Sequence, residues 1–238
     1  MLILGGTTEA ARLARALVGS GLDVITSLAG RTDNAPVLPG TMRVGGFGGV
    51  EGLAEYLTAH AIDRVIDATH PFAARISAHA AQACTQSGVP RLMLVRPAWH
   101  KQEGDDWVEV ADMDQAAGMV ADLGRRAFLT VGIGEVAAFA GSPVWFLVRL
   151  IADQTLPLAD YRVITGKGPF DAQAEQQVMR AHDIDLLVTK ASGGAATYGK
   201  IAAARELGLR VLMVQRPVLP EGEQVNTVEA GMAWLQKR

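Results

Sequence analysis

Short apolar-rich runs alternate with amphipathic stretches along the whole chain. The runs fall at 2–4, 24–28, 64–67, 91–96, 128–131, 144–151, 186–189 and 210–215. Most are continuous rather than alternating, the pattern of strands covered on both faces of a parallel sheet. Between them lie helical stretches with glycine stops: 10–18 before Gly19 and Gly21, 73–86 before Gly88 and Pro90, and 201–207 before Gly208. Strand and helix in regular alternation predict an α/β fold of the doubly wound, parallel-sheet kind.

The pattern also repeats. Ala59-His60-Ala61-Ile62-Asp63 returns as Ala181-His182-Asp183-Ile184-Asp185, each leading into a strand. The next strands read Leu92-Met93-Leu94-Val95-Arg96-Pro97 and Leu212-Met213-Val214-Gln215-Arg216-Pro217. Near the start of each half, glycines and then a glutamate follow a strand, as Gly5-Gly6-Thr7-Thr8-Glu9 and as Gly132-Ile133-Gly134-Glu135. These similarities, in register, predict two Rossmann-like halves with a cleft between them. The boundary is expected near residue 123, after the acidic patch at 103–106 and the helix beyond it, giving domains 1–123 and 124–238.

Composition narrows the function. The 238 residues are 49% hydrophobic and 20% charged, enough apolar content for a core and too much for disorder. Twenty-two basic residues against 25 acidic ones, with no basic tract, argue against a nucleic-acid partner. No run approaches the roughly 18 apolar residues of a membrane span. Met1-Leu2-Ile3-Leu4 reads as a first strand rather than a signal segment. Cys84 is the single cysteine, which suits a reducing cytoplasm. Five scattered histidines give no metal-ligand spacing, and no metal is expected. His60 and His182 read as helix-end residues, His79 and Cys84 as packing.

Four motifs carry candidate chemistry. In the first, Leu2-Ile3-Leu4-Gly5-Gly6-Thr7-Thr8-Glu9-Ala10, a strand runs through glycines into a helix. Backbone N–H groups at the positive helix end then offer a pyrophosphate site. Thr7 and Ala10 stand where the dinucleotide fingerprint has its later glycines, and the Thr7 and Thr8 hydroxyls are candidate donors in their stead. Glu9 sits poorly for a phosphate contact and is expected to cap the helix. The second motif, Ser27-Leu28-Ala29-Gly30-Arg31-Thr32, lies about twenty residues on, where an NAD site carries an acid. None stands there; Ser27 and Arg31 suit a 2′-phosphate, so the expected cofactor is NADPH. Arg31 also reads as a plain solvated loop residue.

The third motif, Asp67-Ala68-Thr69-His70-Pro71-Phe72-Ala73, ends a strand. Pro71 suits the first helical turn, which puts His70 near the N-cap, able to donate to substrate or cofactor. Thr69 and His70 serve equally as simple caps, and Asp67 reads as structural. The fourth, Thr189-Lys190-Ala191-Ser192-Gly193-Gly194-Ala195-Ala196-Thr197-Tyr198-Gly199-Lys200, makes a second glycine turn. Lys190 and Lys200 bring it cationic charge and Tyr198 a phenol, unless the lysines are ordinary surface residues. The Tyr198–Lys200 spacing is not that of short-chain dehydrogenases, and no Gly-x-Ser-x-Gly elbow occurs.

Ile-Leu-Gly-Gly-Thr-Thr-Glu-Ala at 3–10, Ser-Leu-Ala-Gly-Arg-Thr at 27–32, Asp-Ala-Thr-His-Pro-Phe-Ala at 67–73 and Lys-Ala-Ser-Gly-Gly at 190–194 together resemble the precorrin-6A reductase family. Both Arg-Pro pairs, at 96–97 and 216–217, agree, and the resemblance spans essentially the whole chain. It implies NADPH-dependent reduction of a ring double bond in precorrin-6A to give precorrin-6B during cobalamin biosynthesis. A related anaerobic route uses the cobalt-containing substrate, and these motifs do not separate the two. On this reading Gly5, Gly6, Thr7, Thr8, Glu9, Ser27, Arg31, Ala68 and Thr69 hold the cofactor in the first half. Phe72, Arg75, Lys190, Ser192, Gly193, Gly194, Tyr198 and Arg216 meet the substrate, with Lys200 and His70 as the catalytic candidates. A polycarboxylate needs cations, and Arg75, Arg96, Lys167, Lys190, Lys200 and Arg216 stand near predicted strand ends or helix starts. The reduction also takes a proton, from a side chain or from water. Two other readings stay open: a nicotinamide reductase of a smaller substrate, and a non-catalytic NADPH-binding sensor. The expected partner is a tetrapyrrole small molecule; a monomer with passing contacts to neighbouring pathway enzymes is the simplest assembly.

Overall fold

The computed structural model describes residues 1–30 and 37–236. In chain order come β1 (Leu2–Leu4), α1 (Thr8–Gly19), β2 (Ile25–Leu28), β3 (Thr41–Val44), α2 (Val50–Ala59), β4 (Val65–Asp67), α3 (Ala74–Ser87) and β5 (Arg91–Leu94). Next are β6 (Asp106–Val110), α4 (Met113–Leu123), β7 (Arg126–Leu129), the short α5 (Ile133–Val136), β8 (Trp145–Leu150) and β9 (Tyr161–Thr165). α6 (Ala172–Ala181), β10 (Leu186–Lys190), α7 (Gly199–Glu206), β11 (Arg210–Val214), β12 (Glu223–Val225) and α8 (Val228–Gln236) complete it.

Two six-stranded parallel sheets result, ordered β12-β5-β4-β1-β2-β3 and β6-β11-β10-β7-β8-β9. Each is a doubly wound sheet whose strand order reverses between β1 and β4 in the first and between β7 and β10 in the second. Central strands such as Leu2–Leu4 and Leu186–Val188 are buried throughout, which is why their sequences read as unbroken apolar runs. β3 and β9 are edge strands with partly exposed, mixed sequences (Thr-Met-Arg-Val and Tyr-Arg-Val-Ile-Thr), so hydropathy alone did not reveal them.

The two compact units are Met1–Pro97 with Val218–Arg238, and Ala98–Pro217. The expected boundary near residue 123 is therefore corrected. β6 and α4, assigned by sequence to the first half, join the second sheet, whereas β12 and α8 leave the second half for the first. The acidic patch ahead of β6 is tied into the second unit, Asp105 to Arg205 at 2.9 Å and Asp106 to Arg210 at 2.9 Å. In the first unit, Val228, Trp234 and Leu235 of α8 share a core with Leu13, Ala14 and Leu17 of α1. Trp234 Nε1–H donates to Glu223 at 2.8 Å.

The repeat is structural as well as sequential. His60 and His182 both cap a helix C-terminus, with Nδ1 at 3.1 Å from the Tyr56 carbonyl and 2.9 Å from that of Val178. The residues that follow, Ala61 and Asp183, both take left-handed φ angles of 48° and 50°. Among the described residues no helix is long and apolar enough to cross a membrane.

Two buried polar groups give stability tests. Arg149 and Glu175 pair at 2.7 Å, with Glu175 side-chain exposure of 2% and Arg149 stacked 4.0 Å from the Phe170 ring centroid. Glu175→Ala strands that guanidinium without its partner and should cost about 3–5 kcal/mol in urea unfolding, because a buried unpaired charge keeps its desolvation penalty. Burial pushes the Cys84 thiol up to about 11, with Arg91 opposing and Asp67 adding to the shift. The thiolate is the reactive form, so at pH 8 the native protein should react with a disulfide reagent roughly a hundredfold or more slowly than the unfolded chain. A native rate equal to the unfolded one would show that Cys84 is accessible and ordinary.

Candidate dinucleotide and substrate sites

In the first unit the glycine turn lies at the carboxyl end of β1, beside β4, where the strand order reverses. Ligands of open α/β sheets gather at that point. Gly5 is packed: a Cβ there would meet Thr26 at 3.2 Å and Leu28 at 3.3 Å. Gly6 has φ 110° and open space around a would-be Cβ, so backbone can be approached closely there. The first helical N–H groups of α1 have no partner within the helix and face the same end. An anion suits this cradle.

The threonines and Glu9 serve the turn differently from expectation. Thr7, not Glu9, is the N-cap of α1: its Oγ1 accepts from Ala10 N at 3.1 Å. The same hydroxyl donates to the Ala68 carbonyl at 2.7 Å, joining the turn to the end of β4. Its proton is therefore committed to the protein. Glu9 pairs with Arg96 at 3.5 Å, which offsets a negative charge that would otherwise face a phosphate. Burial lowers the Arg96 proton affinity, and Glu9 pulls it back up.

At the end of β4, Asp67 Oδ1 accepts from Thr69 N at 3.1 Å and Thr69 Oγ1 at 2.7 Å, a structural part as read from sequence. α3 starts only at Ala74, with Ala73 as its N-cap, so neither Thr69 nor His70 caps it and Pro71 precedes its first turn. His70 instead closes a turn, Ala73 N donating to its carbonyl at 2.7 Å and Phe72 N to its Nδ1 at 3.2 Å. With Nδ1 accepting, the neutral ring carries its proton on Nε2. The His70 ring tilts against Phe72 and lines a small hollow with Asp67, Thr69 and Ser77. Arg75 is exposed in the first turn of α3.

Ser27 is the next-to-last residue of β2 and is buried at 5% exposure. Arg31 lies outside the described residues. Sequence reasoning missed a second arginine, Arg43 on β3, whose Nη1–H donates to Ser27 Oγ at 3.2 Å. No motif marked it, because the contact depends on strand pairing.

In the second unit the corresponding glycine turn holds a carboxylate of its own. Glu135 Oε2 accepts from Gly132 N at 2.7 Å, and Lys190 Nζ pairs with Glu135 at 2.7 Å. Lys190 is thus no bare cation at the turn that follows β10. There Gly193 and Gly194 have φ 68° and 73°, consecutive left-handed residues that only glycine adopts readily. Arg216 shapes this turn by donating to the Ala191 carbonyl at 2.8 Å and the Ser192 carbonyl at 3.0 Å. Trp99 Nε1–H holds the Gly194 carbonyl at 2.7 Å. Beneath lies a cavity of about 140 Å³, lined by Trp99, Trp107, Glu109, Met213, Gln215 and Arg216 among others.

α7 begins at Gly199, later than the turn itself, with Tyr198 as its N-cap. The Tyr198 phenol oxygen accepts from Arg205 Nη2 at 2.7 Å. Lys200 is 6% exposed with Nζ 5.8 Å from the Trp99 ring centroid, which removes the reading of a solvated surface lysine. Lys167, by contrast, is exposed after β9.

The family model for precorrin-6x reductase CbiJ/CobK matches residues 1–236. A precorrin-6A reductase of Rhodococcus erythropolis is 45% identical over 239 residues, covering 99% of this chain and 96% of that one. One from Rhodobacter capsulatus is 42% identical over 238 residues, covering 99% and 95%. A cobalt-precorrin-6A reductase of Priestia megaterium is 27% identical over 246 residues, covering 96% and 95%. A solved structure, the CobK precorrin-6A reductase, superposes with TM-score 0.94 at 41% identity, over 99% of this chain and 95% of the other.

Thr7 is the joint of the first glycine turn, and its hydroxyl makes two bonds at once. Thr7→Ala should lower stability by about 1–2 kcal/mol, as for other lost N-caps, while Thr7→Ser stays near wild type. Equal unfolding midpoints for the two variants in urea would remove the hydroxyl from this role.

Proposed function

The chain belongs to the precorrin-6x reductase family, and we propose that it reduces precorrin-6A to precorrin-6B with NADPH, a step of corrin ring (vitamin B12) biosynthesis. The observation that carries this reading is end-to-end identity of 42–45% to relatives named precorrin-6A reductase. Identity to relatives named cobalt-precorrin-6A reductase is 27%, which favours the cobalt-free macrocycle as substrate.

The residues present fit a dinucleotide. The open Gly6 backbone and the N-terminus of α1 suit its pyrophosphate, Ser27 its ribose, and Ala68 and Thr69 border the same switch point. When bound, the nicotinamide supplies a hydride. The chain supplies position and charge. His70, with its proton on Nε2, is a donor to a carboxylate or carbonyl oxygen, and Phe72 gives it an aromatic neighbour. Arg216 fixes the carbonyls of Ala191 and Ser192 and thereby the N–H groups of the Ser192-Gly193-Gly194 turn. Lys200, buried beside Trp99, holds a positive charge in low dielectric, where it stabilises negative charge on the substrate strongly. Lys190, neutralised by Glu135, acts through the pair rather than as a lone cation.

Purified protein mixed with NADPH and precorrin-6A should oxidise the cofactor, followed at the nicotinamide absorbance band. Binding of both without turnover would indicate a sensor; turnover only with small enones or imines would indicate a different reductase. Removing Lys200 as alanine should lower kcat by roughly a hundredfold, the scale for losing one preorganised electrostatic group. His70→Ala should mainly raise KM, as loss of an orienting contact does. Wild-type kcat for Lys200→Ala at saturating substrate would take Lys200 out of the reaction.

A further inference from the structure

Arg43 and Ser27 are register partners on adjacent parallel strands, both near the carboxyl edge of the first sheet. The guanidinium is held in place from several sides. Nη1 donates to Ser27 Oγ at 3.2 Å and to the Gly45 carbonyl at 2.6 Å, and Nη2 to the Gly46 carbonyl at 2.7 Å. Its Cζ lies 3.7 Å from the Phe47 ring centroid and 5.1 Å from that of Tyr56. These bonds use three of an arginine's five N–H donors. The other two, one on Nε and one on Nη2, form the parallel fork that grips a phosphate bidentately.

Three further observations bear on what the fork takes. Among the described residues, no carboxylate forms an ion pair with Arg43. The adjacent loop is open, since a Cβ at Gly45, Gly46 or Gly48 would meet nothing described within 4 Å. And β2 and β3 lie on the side of β1 away from β4, where the ribose of a dinucleotide reaches when its pyrophosphate rests on the β1 turn. A ribose diol calls for an acceptor at this place. A fixed guanidinium with no carboxylate partner among the described residues calls for an anion.

We propose that Arg43, with Ser27, binds the 2′-phosphate of the cofactor's adenosine and sets the preference for NADPH over NADH. The assignment rests on the reading that the chain binds a nicotinamide dinucleotide at the Gly5–Gly6 turn. The three bonds and two rings orient the fork before ligand arrives, so little side-chain entropy is lost on binding.

Dissociation constants for NADPH and NADH, measured by nicotinamide fluorescence on the full chain, test it. Arg43→Gln should weaken NADPH roughly tenfold or more, the range for a lost charge-assisted contact, and leave NADH within about twofold. Arg43→Lys, which keeps the charge but not the fork, should fall between. The phosphorus resonance of the bound 2′-phosphate should move in Arg43→Gln while the pyrophosphate signals stay. An unchanged NADH affinity also reports that the variant is folded. Equal loss for both dinucleotides would overturn the assignment and leave Arg43 as an organiser of its loop. A wild-type preference for NADPH that survives Arg43→Gln would overturn it too, with the cofactor reading intact. Wild-type protein that binds neither dinucleotide would overturn the cofactor reading itself, and this assignment with it.

Discussion

In each unit a parallel sheet is covered by helices on both faces, so polar side chains inside it find few partners: the hydroxyls of Thr26 in β2 and Thr189 in β10 are buried without a hydrogen bond among the described residues. Backbone groups there are spent on neighbouring strands, and side chains such as Leu2, Ile3, Leu186 and Leu187 are wholly buried. Polar function is confined to the carboxyl edge, where strands hand over to helices. That confinement explains why the Gly5 turn, Ser27, Asp67–His70 and the Ser192 turn all lie at strand ends. It also explains why one hydroxyl, that of Thr7, can tie a glycine turn to its neighbouring strand end through the Ala68 carbonyl.

The two sheets use the same plan for different ends. After the first strand of the first unit, the turn presents an open backbone at Gly6 and a capped helix behind it. After β7 of the second unit, Glu135 bonds Gly132 N and Lys190, so the equivalent place is filled by the protein's own charge pair. A second dinucleotide would have to displace that pair. The second unit is left with a different edge feature, the turn built by Gly193, Gly194, Arg216 and Trp99. Lys200 stands behind that turn, buried with an aromatic neighbour rather than solvated.

Connectivity adds a further constraint. The chain leaves the first unit after Pro97 and returns after Pro217, each time directly behind an arginine that has bonds to make in place. An outer strand of each sheet thus follows a strand of the other, β6 after β5 and β12 after β11. Neither β6 nor β12 could be assigned by proximity in sequence. Their pairing with β11 and β5 is decided by which sheet edge each meets.

What the sequence determined by itself is what short range controls. Continuous apolar runs identified the parallel strands because burial on both faces demands them, and the glycines after β1 and β10 identified the edge turns. The repeated Ala-His-x-Ile-Asp segments identified two equivalent helix ends, since a residue in the left-handed conformation, Ala61 or Asp183, follows each cap. The tertiary structure decided what depends on partners distant in sequence. Lys190 loses its lone charge to Glu135, 55 residues away, and the acidic patch at 105–106 becomes a strand start through Arg205 and Arg210, about a hundred residues on. His70 closes a turn ahead of α3 rather than capping it, because α3 begins only at Ala74, later than Pro71 implied. Arg43 meets Ser27 only through parallel pairing of β2 with β3, a register that no local spacing encodes.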